Sequence, residues 1–370
     1  PISRIPIETV FEPLPEWSTR LPVSLLTDIG FRQHYYLGKQ MADRFPQIFN
    51  KDLTREHIYA RSTRIQRTLG SAGAHLMGAI SASMDEDQQK ELLEFDFDDE
   101  RQLPASVNKV RAGELFKDKS GPLLPNGFVP SQVFSHYIDQ DYLLYYMNPG
   151  ACPYGAKRHA EIIKEYKNDL SNNHPAFIDV MDQAAKIFGV ELESFKEDLF
   201  YFAENIGDFI GLDWRNNPDP KMPKSSPLYK RVRRVIESIN TVALLDKDIR
   251  AATTAPLFFN ILDMLQKRAK NQRMSREMTG TQKYVYLSSH DTVLAPVLEM
   301  FGQIDPACYL RETKEGQGAG LCGEFPDTAS NVVFELFSRG VHTYVRVYYN
   351  LKLIRVFGRE EHLLGDFASD

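Results

Sequence analysis

Tyr284-Val285-Tyr286-Leu287-Ser288-Ser289-His290-Asp291-Thr292-Val293 is the stretch on which the fold turns. Tyr284 to Leu287 are aromatic or apolar, the composition of a short buried strand. The run from Val293 to Phe301 reads as helix, and the polar residues between are the turn that joins the two. The same order occurs earlier in the chain. His57-Ile58-Tyr59-Ala60 reads as a strand, Arg61-Ser62-Thr63 follows, and the Ala/Leu/Gly-rich segment 65–83 reads as a helix. In open α/β sheets the carboxyl edge of the strands is where ligands sit. Arg61 and His290 are therefore expected to be neighbours in space.

Further outward, residues 27–45 have helical spacing, with Thr27 as N-cap and Ile29, Tyr36, Leu37 and Met41 as the apolar face. Val332–Phe337 and Thr343–Tyr349 read as a strand pair around a Ser338-Arg339-Gly340 turn. Residues 96–245 differ in character. Proline-interrupted loops (Pro122, Pro125, Pro130, Pro149, Pro153) alternate with helical stretches at 157–168, 175–189 and 226–245. The expected architecture is α/β: a Rossmann-like mixed sheet flanked by helices, formed by 1–95 and 246–370. A mainly helical cap, 96–245, is inserted into it.

Composition narrows the function. Charged residues are 25% and hydrophobic residues 42% of 370, an ordinary globular balance. A net charge of −6 argues against non-specific nucleic-acid binding. No apolar run approaches the roughly 20 residues of a membrane helix. Cys152, Cys308 and Cys322 form no CxxC pair. Two outcomes stay open for them: three separate thiols, or a Cys308–Cys322 loop closed across Gly316, Gly318 and Gly320. The remaining histidines, including His57, His75, His136, His159, His174, His342 and His362, show no metal-ligand spacing. Neither a metal nor a cofactor is expected.

Three motifs carry a resemblance to the histidine acid phosphatases. The first is Arg61-Ser62-Thr63 with Arg67-Thr68, which is similar to the family's Arg-Ser-Thr-x-x-x-Arg-Thr; Arg64 departs from the Asp common there. The second is His290-Asp291-Thr292 after a strand. The third is the opening, Pro1-Ile2-Ser3-Arg4-Ile5-Pro6-Ile7-Glu8-Thr9. The family's first motif reads Arg-His-Gly-x-Arg-x-Pro, often followed by Ile-Asp-Thr, and Arg4 and Pro6 fill its last fixed places. Segments at Thr27–Gly38, Asp141–Tyr145 with Cys152-Pro153, and Asn331–Leu336 add to the resemblance.

The resemblance implies hydrolysis of phosphate monoesters through a phosphohistidine. Such chemistry needs an attacking imidazole, several donors on the equatorial oxygens and an acid for the leaving oxygen. Arginine suits the second task through its planar, permanently charged fork. By the resemblance Arg4, Arg61 and His290 hold phosphate, and Asp291 is the proton donor. In this register Pro1 and Ile2 occupy the places of the family's His and Gly, and proline cannot attack phosphorus. His34 reads as a helix residue and not as a substitute nucleophile.

Two functions follow. One is an acid phosphatase-like protein with little or no turnover. The other is a pseudophosphatase that binds a phospholigand or serves as a structural subunit. The expected partners are a phosphate monoester or inorganic phosphate. In the family the nucleophile-bearing strand lies centrally in the sheet, ahead of residue 1. Without it neighbouring strands would have unpaired backbone groups, at roughly 1–3 kcal/mol per buried group. An upstream segment or another chain, in a homo-oligomer or a larger complex, is expected to fill that place. The resemblance also favours a secretory, lysosomal or other membrane-enclosed compartment.

Overall fold

The first described helix, α1 (Asp28–Arg44), starts where Thr27 predicts: the Thr27 hydroxyl accepts the Gly30 N–H at 3.1 Å. The structure is a computed structural model that describes residues 25–50, 52–83, 132–145, 150, 152–193, 199–217, 219–318 and 320–369. Pro1 and Arg4 lie outside the described residues, as does the acidic run 94–100.

Strand β1 (Ile58–Ser62) leads into α2 (Gln66–Ser83). Helices α1 and α2 touch backbone to backbone. A Cβ on Gly38 would lie 2.0 Å from the His75 carbonyl oxygen, and one on Gly78 would lie 2.0 Å from that of Tyr35. Only glycine permits this approach.

Four helices follow: α3 (Pro153–Asn173), α4 (Pro175–Phe188), α5 (Leu199–Asn216) and α6 (Pro227–Thr241). They share one apolar cluster that includes Leu170, Phe177, Met181, Phe202, Ile206 and Val232, all fully buried. Each such side chain contributes about 1.5–3 kcal/mol. Helix α7 (Lys247–Ala269) begins at the Asp246 cap, whose carboxylate accepts the Asp248 and Ile249 N–H groups at 3.0 and 3.1 Å.

Strand β2 (Tyr284–Ser288) runs parallel to β1 with Arg61 opposite Leu287 and Ser62 opposite Ser288. Helix α8 (Asp291–Met300) starts two residues earlier than the sequence suggests, at Asp291 itself. Helix α9 (Pro306–Lys314) is tied to the loop after it by a Cys308–Cys322 disulfide, which decides between the two cysteine outcomes. Cys152 is free and half-exposed. Strands β3 (Val332–Arg339) and β4 (His342–Tyr349) form the expected hairpin, with β5 (Lys352–Leu353) and β6 (His362–Leu363) also on β4. A short helix, α10 (Leu364–Phe367), ends the chain's described part.

The strands therefore fall into two sheets, β1–β2 and β3–β6. Among the described residues β2 pairs only with β1, and β3 only with β4. Both strands line the same cavity.

Candidate active site

The two strand–turn–helix segments meet at the carboxyl ends of β1 and β2. The Thr63 N–H donates to the Ser288 carbonyl at 3.1 Å, and the Ser288 hydroxyl donates to the Thr68 carbonyl at 2.9 Å. Thr63 Oγ1 lies 3.1 Å from His290 Nε2 and 2.7 Å from Thr68 Oγ1. Ser62, Thr63 and Thr68 are buried, so this hydroxyl chain is shielded from water and holds its geometry. The motif around Arg61 and the motif at His290 are thus in direct contact, as the sequence predicts.

His290 is the N-cap residue of α8, and the Tyr145 ring meets its imidazole edge-on at 5.7 Å between centroids. Asp291 occupies the first turn and accepts the Thr292 N–H at 2.9 Å. The N-terminus of α8 adds a partial positive charge that favours an anion there.

A cavity of about 1080 Å³ opens beside this pair. Arg67, His290 and Asp291 line it from the sheet side, and Asn205, Asp208, Arg215 and Arg233 from α5 and α6. The Asp291 side chain is exposed to the cavity. The protein mass around the cavity still desolvates the carboxyl and raises its pKa, the charge of Asp208 raises it further, and the Thr292 N–H, Arg233 and Arg67 pull it back. A carboxyl pushed upward retains its proton to higher pH, the property a general acid needs.

Arg61 points elsewhere. Its Nη2 lies 2.6 Å from Asp141 Oδ1, with the two side chains 12% and 1% exposed. It is not among the residues that line the cavity; from its motif Arg67 and Thr68 do so. Strand alternation sets Arg61 on the face opposite Ala60. Ala60 packs against Leu76 and Ile80 of α2, whereas Tyr59, on the same side as Arg61, packs against Met274 and Met278. Arg64, the departure from the family pattern, lies over the Tyr137 ring at 4.5 Å.

His34 sits on α1, as expected of a helix residue, and faces the cavity with His75 of α2. His75 is fully buried, stacks on Tyr286 with centroids 4.1 Å apart and meets the Tyr284 hydroxyl at 2.6 Å. Burial lowers His34 to about 4 and His75 to about 3. Both rings are neutral at ordinary pH. Among the described residues the one group with metal-ligand spacing is Cys308, Glu312 and Cys322, and its two sulfurs are bonded to each other.

Sequence reasoning passed over three charged groups. Asp141 had only its place in a cap-like segment, and Asp208 and Arg233 lie on helices with no motif around them. An acid set against the apolar run Tyr142-Leu143-Leu144 was the available signal for the first.

The family model of the histidine phosphatase superfamily (branch 2) matches residues 9–350. The chain belongs to this superfamily. Within it, prostatic acid phosphatase of Bos taurus is 40% identical over 74 residues, 20% of this chain and 19% of that one. Lysosomal acid phosphatase of Xenopus laevis is 43% identical over 53 residues, 14% of this chain and 12% of that one. The matched stretches are thus under a fifth of the length of these histidine phosphatases.

Among solved structures, Hafnia alvei phytase in complex with myo-inositol hexakis sulphate aligns with a TM-score of 0.57 at 14% identity. That alignment covers 92% of this chain and 78% of the phytase. Klebsiella sp ASR1 phytase aligns with a TM-score of 0.53 at 19% identity, covering 94% and 76%. These likenesses show the shared histidine phosphatase fold. No helix among the described residues is long and apolar enough to cross a membrane.

Proposed function

We propose that the chain carries the phosphate-handling site of a histidine acid phosphatase, with residues 96–245 as its helical cap. The observation that supports this best is the Thr63–His290 contact, which joins the two motifs at one end of the cavity. His290 and the N-terminus of α8 would hold phosphate, with Arg4 as an arginine that the family motif assigns; the motif assigns Arg61 as well, and in that role its guanidinium would have to leave Asp141. Asp291, with its raised carboxyl, would protonate the leaving oxygen. The substrate class would be a phosphate monoester, and the likeness to a lysosomal acid phosphatase supports a membrane-enclosed compartment.

Residues 1–370, with Pro1 in the place of the nucleophile, would bind phosphate with little or no turnover. The experiment uses the purified 370-residue chain with p-nitrophenyl phosphate, and calorimetric titration with inorganic phosphate and tungstate. Binding without turnover, weakened by His290→Ala, is the expected result. Ordinary turnover abolished by Asp291→Ala would overturn the inactive reading. Absence of any binding would favour a purely structural subunit.

A second reading is an active phosphatase whose nucleophile lies ahead of residue 1. Pro-Ile occurs at Pro1-Ile2 as well as at Pro6-Ile7, and either proline can close the family's first motif. Among the described residues β2 pairs only with β1 and β3 only with β4, and a further strand joining both sheets would fit this reading. Expression with the upstream coding sequence decides it. Turnover in the longer product supports the active enzyme, and its absence supports the binding protein.

A further inference from the structure

Arg233 stands on α6 and lines the same cavity as His290 and Asp291. Its guanidinium carries five N–H donors. It donates one long hydrogen bond, 3.4 Å to the Gly207 carbonyl, and enters no ion pair among the described residues. It rests against a glycine face of α5: a Cβ on Gly211 would lie 3.4 Å from its Nη1. The acids around it are Glu237, Asp327, Asp208 and Asp291. Glu237 is held by Arg234 at 2.8 Å, and Asp327 is paired with Arg215. Asp291 holds its proton more firmly than an ordinary carboxyl. Arg233 thus faces the cavity without a carboxylate of its own in salt-bridge contact among the described residues.

The position of Arg233 is fixed by its neighbour. Successive helix residues point about 100° apart, so Arg234 faces α9 while Arg233 faces the cavity. Arg234 is buried, with its Nε 2.7 Å from Glu312 and its guanidinium over the Tyr309 ring at 4.6 Å. It donates to the Gly320 carbonyl at 3.3 Å, inside the loop that the Cys308–Cys322 disulfide closes. The Thr313 hydroxyl donates to the Arg234 carbonyl at 3.2 Å. A cation with spare donors on so firmly held a backbone is preorganised for a ligand.

We propose that Arg233 binds a second anionic group on the leaving-group side of the substrate, so that the site prefers phosphate monoesters whose alcohol carries another negative charge. This rests on the phosphate-binding reading of His290. A monoester seated at His290 directs its alcohol into the cavity, toward α5 and α6. A neutral alcohol leaves Arg233 unused, whereas an anionic one gains charge-assisted hydrogen bonds.

The test is calorimetric titration of the 370-residue chain with propyl phosphate and with propane-1,3-diyl bisphosphate. The bisphosphate should bind roughly 10-fold tighter or more. Arg233→Gln should remove that advantage and leave propyl phosphate within about 2-fold, and Arg233→Lys should restore part of it. Thermal melts establish that each variant is folded. Equal affinity of the wild-type chain for the two ligands overturns the proposal while leaving the phosphate site intact. Equal loss of both ligands in Arg233→Gln also overturns it, because Arg233 then acts on the phosphate site itself. If neither ligand binds the wild-type chain, the phosphate-binding reading and this proposal fall together.

Discussion

Arg61 and Asp141 form a buried ion pair, 2.6 Å between Nη2 and Oδ1, between residues that lie 80 positions apart in the chain. Asp141 also accepts the Leu144 N–H at 3.0 Å, so its carboxylate fixes a turn and a guanidinium together. Removing one partner of such a pair leaves an uncompensated buried charge, whereas removing both often costs little. Asp141→Leu should therefore lower stability by about 3–5 kcal/mol. The double variant Arg61→Met with Asp141→Leu should recover most of that loss. Urea denaturation of the four proteins of this cycle measures the coupling. Additive losses would show that the pair has no mutual stabilisation.

Thr63 links the two motifs through its hydroxyl. Thr63→Val keeps the shape and removes the contacts to His290 and Thr68. Stability should fall by about 1 kcal/mol, the net value of a typical hydrogen bond, with a larger loss if Thr68 is left unsatisfied. Phosphate affinity should fall by roughly 3- to 10-fold as the imidazole loses its fixed orientation. Calorimetry with inorganic phosphate checks this, and unchanged affinity would separate Thr63 from the site.

Acid should destabilise the fold through His75. Its pKa drops from 6.5 to about 3 on folding, because burial disfavours the charged ring. The unfolded chain thus binds a proton that the folded chain refuses. The contribution is complete above pH 6.5 and is lost as pH falls toward 3, at about 1.4 kcal/mol per pH unit. His34, lowered to about 4, adds in the same direction. His75→Phe should flatten the stability profile between pH 6 and 4, although the Tyr284 hydroxyl loses its partner. Denaturation midpoints over that range are the measurement.

The disulfide supplies a prediction that needs no assay of function. One thiol, Cys152, should react in the native chain and three after reduction. Cys308 and Cys322 close a loop of sequence separation 14, so reduction should cost about 3 kcal/mol on the loop-entropy estimate. Three reactive thiols before reduction would contradict the bridge.

Much of the fold was legible because it is written locally. Thr27 caps α1 and the hairpin at Gly340 turns where a glycine offers positive φ. The clusters of aromatic and branched residues at 58–62 and 284–288 are strands in fact. Helix α5 was not anticipated, because it is apolar around most of its circumference: eleven of its residues are buried, including Phe200, Phe202, Ile206 and Phe209. An amphipathic pattern cannot announce a helix that is buried on nearly every side. Helix α7 was obscured by Pro256 within it. Helix α9 did carry a signal, Asp305 as N-cap before Pro306.

By itself the sequence determined the family, the strand–turn–helix character of both motifs and their place side by side, because register and connection order follow from local pattern and parallel pairing. Tertiary structure alone decided where the charges point. Arg61 faces Asp141 across the turn at 141–144, Arg233 enters the cavity from a helix without a motif, and Asp291 has its pKa raised by desolvation and Asp208. Charge acts through space and its strength depends on burial, so no linear pattern encodes which guanidinium is spent on a carboxylate and which remains to meet a ligand.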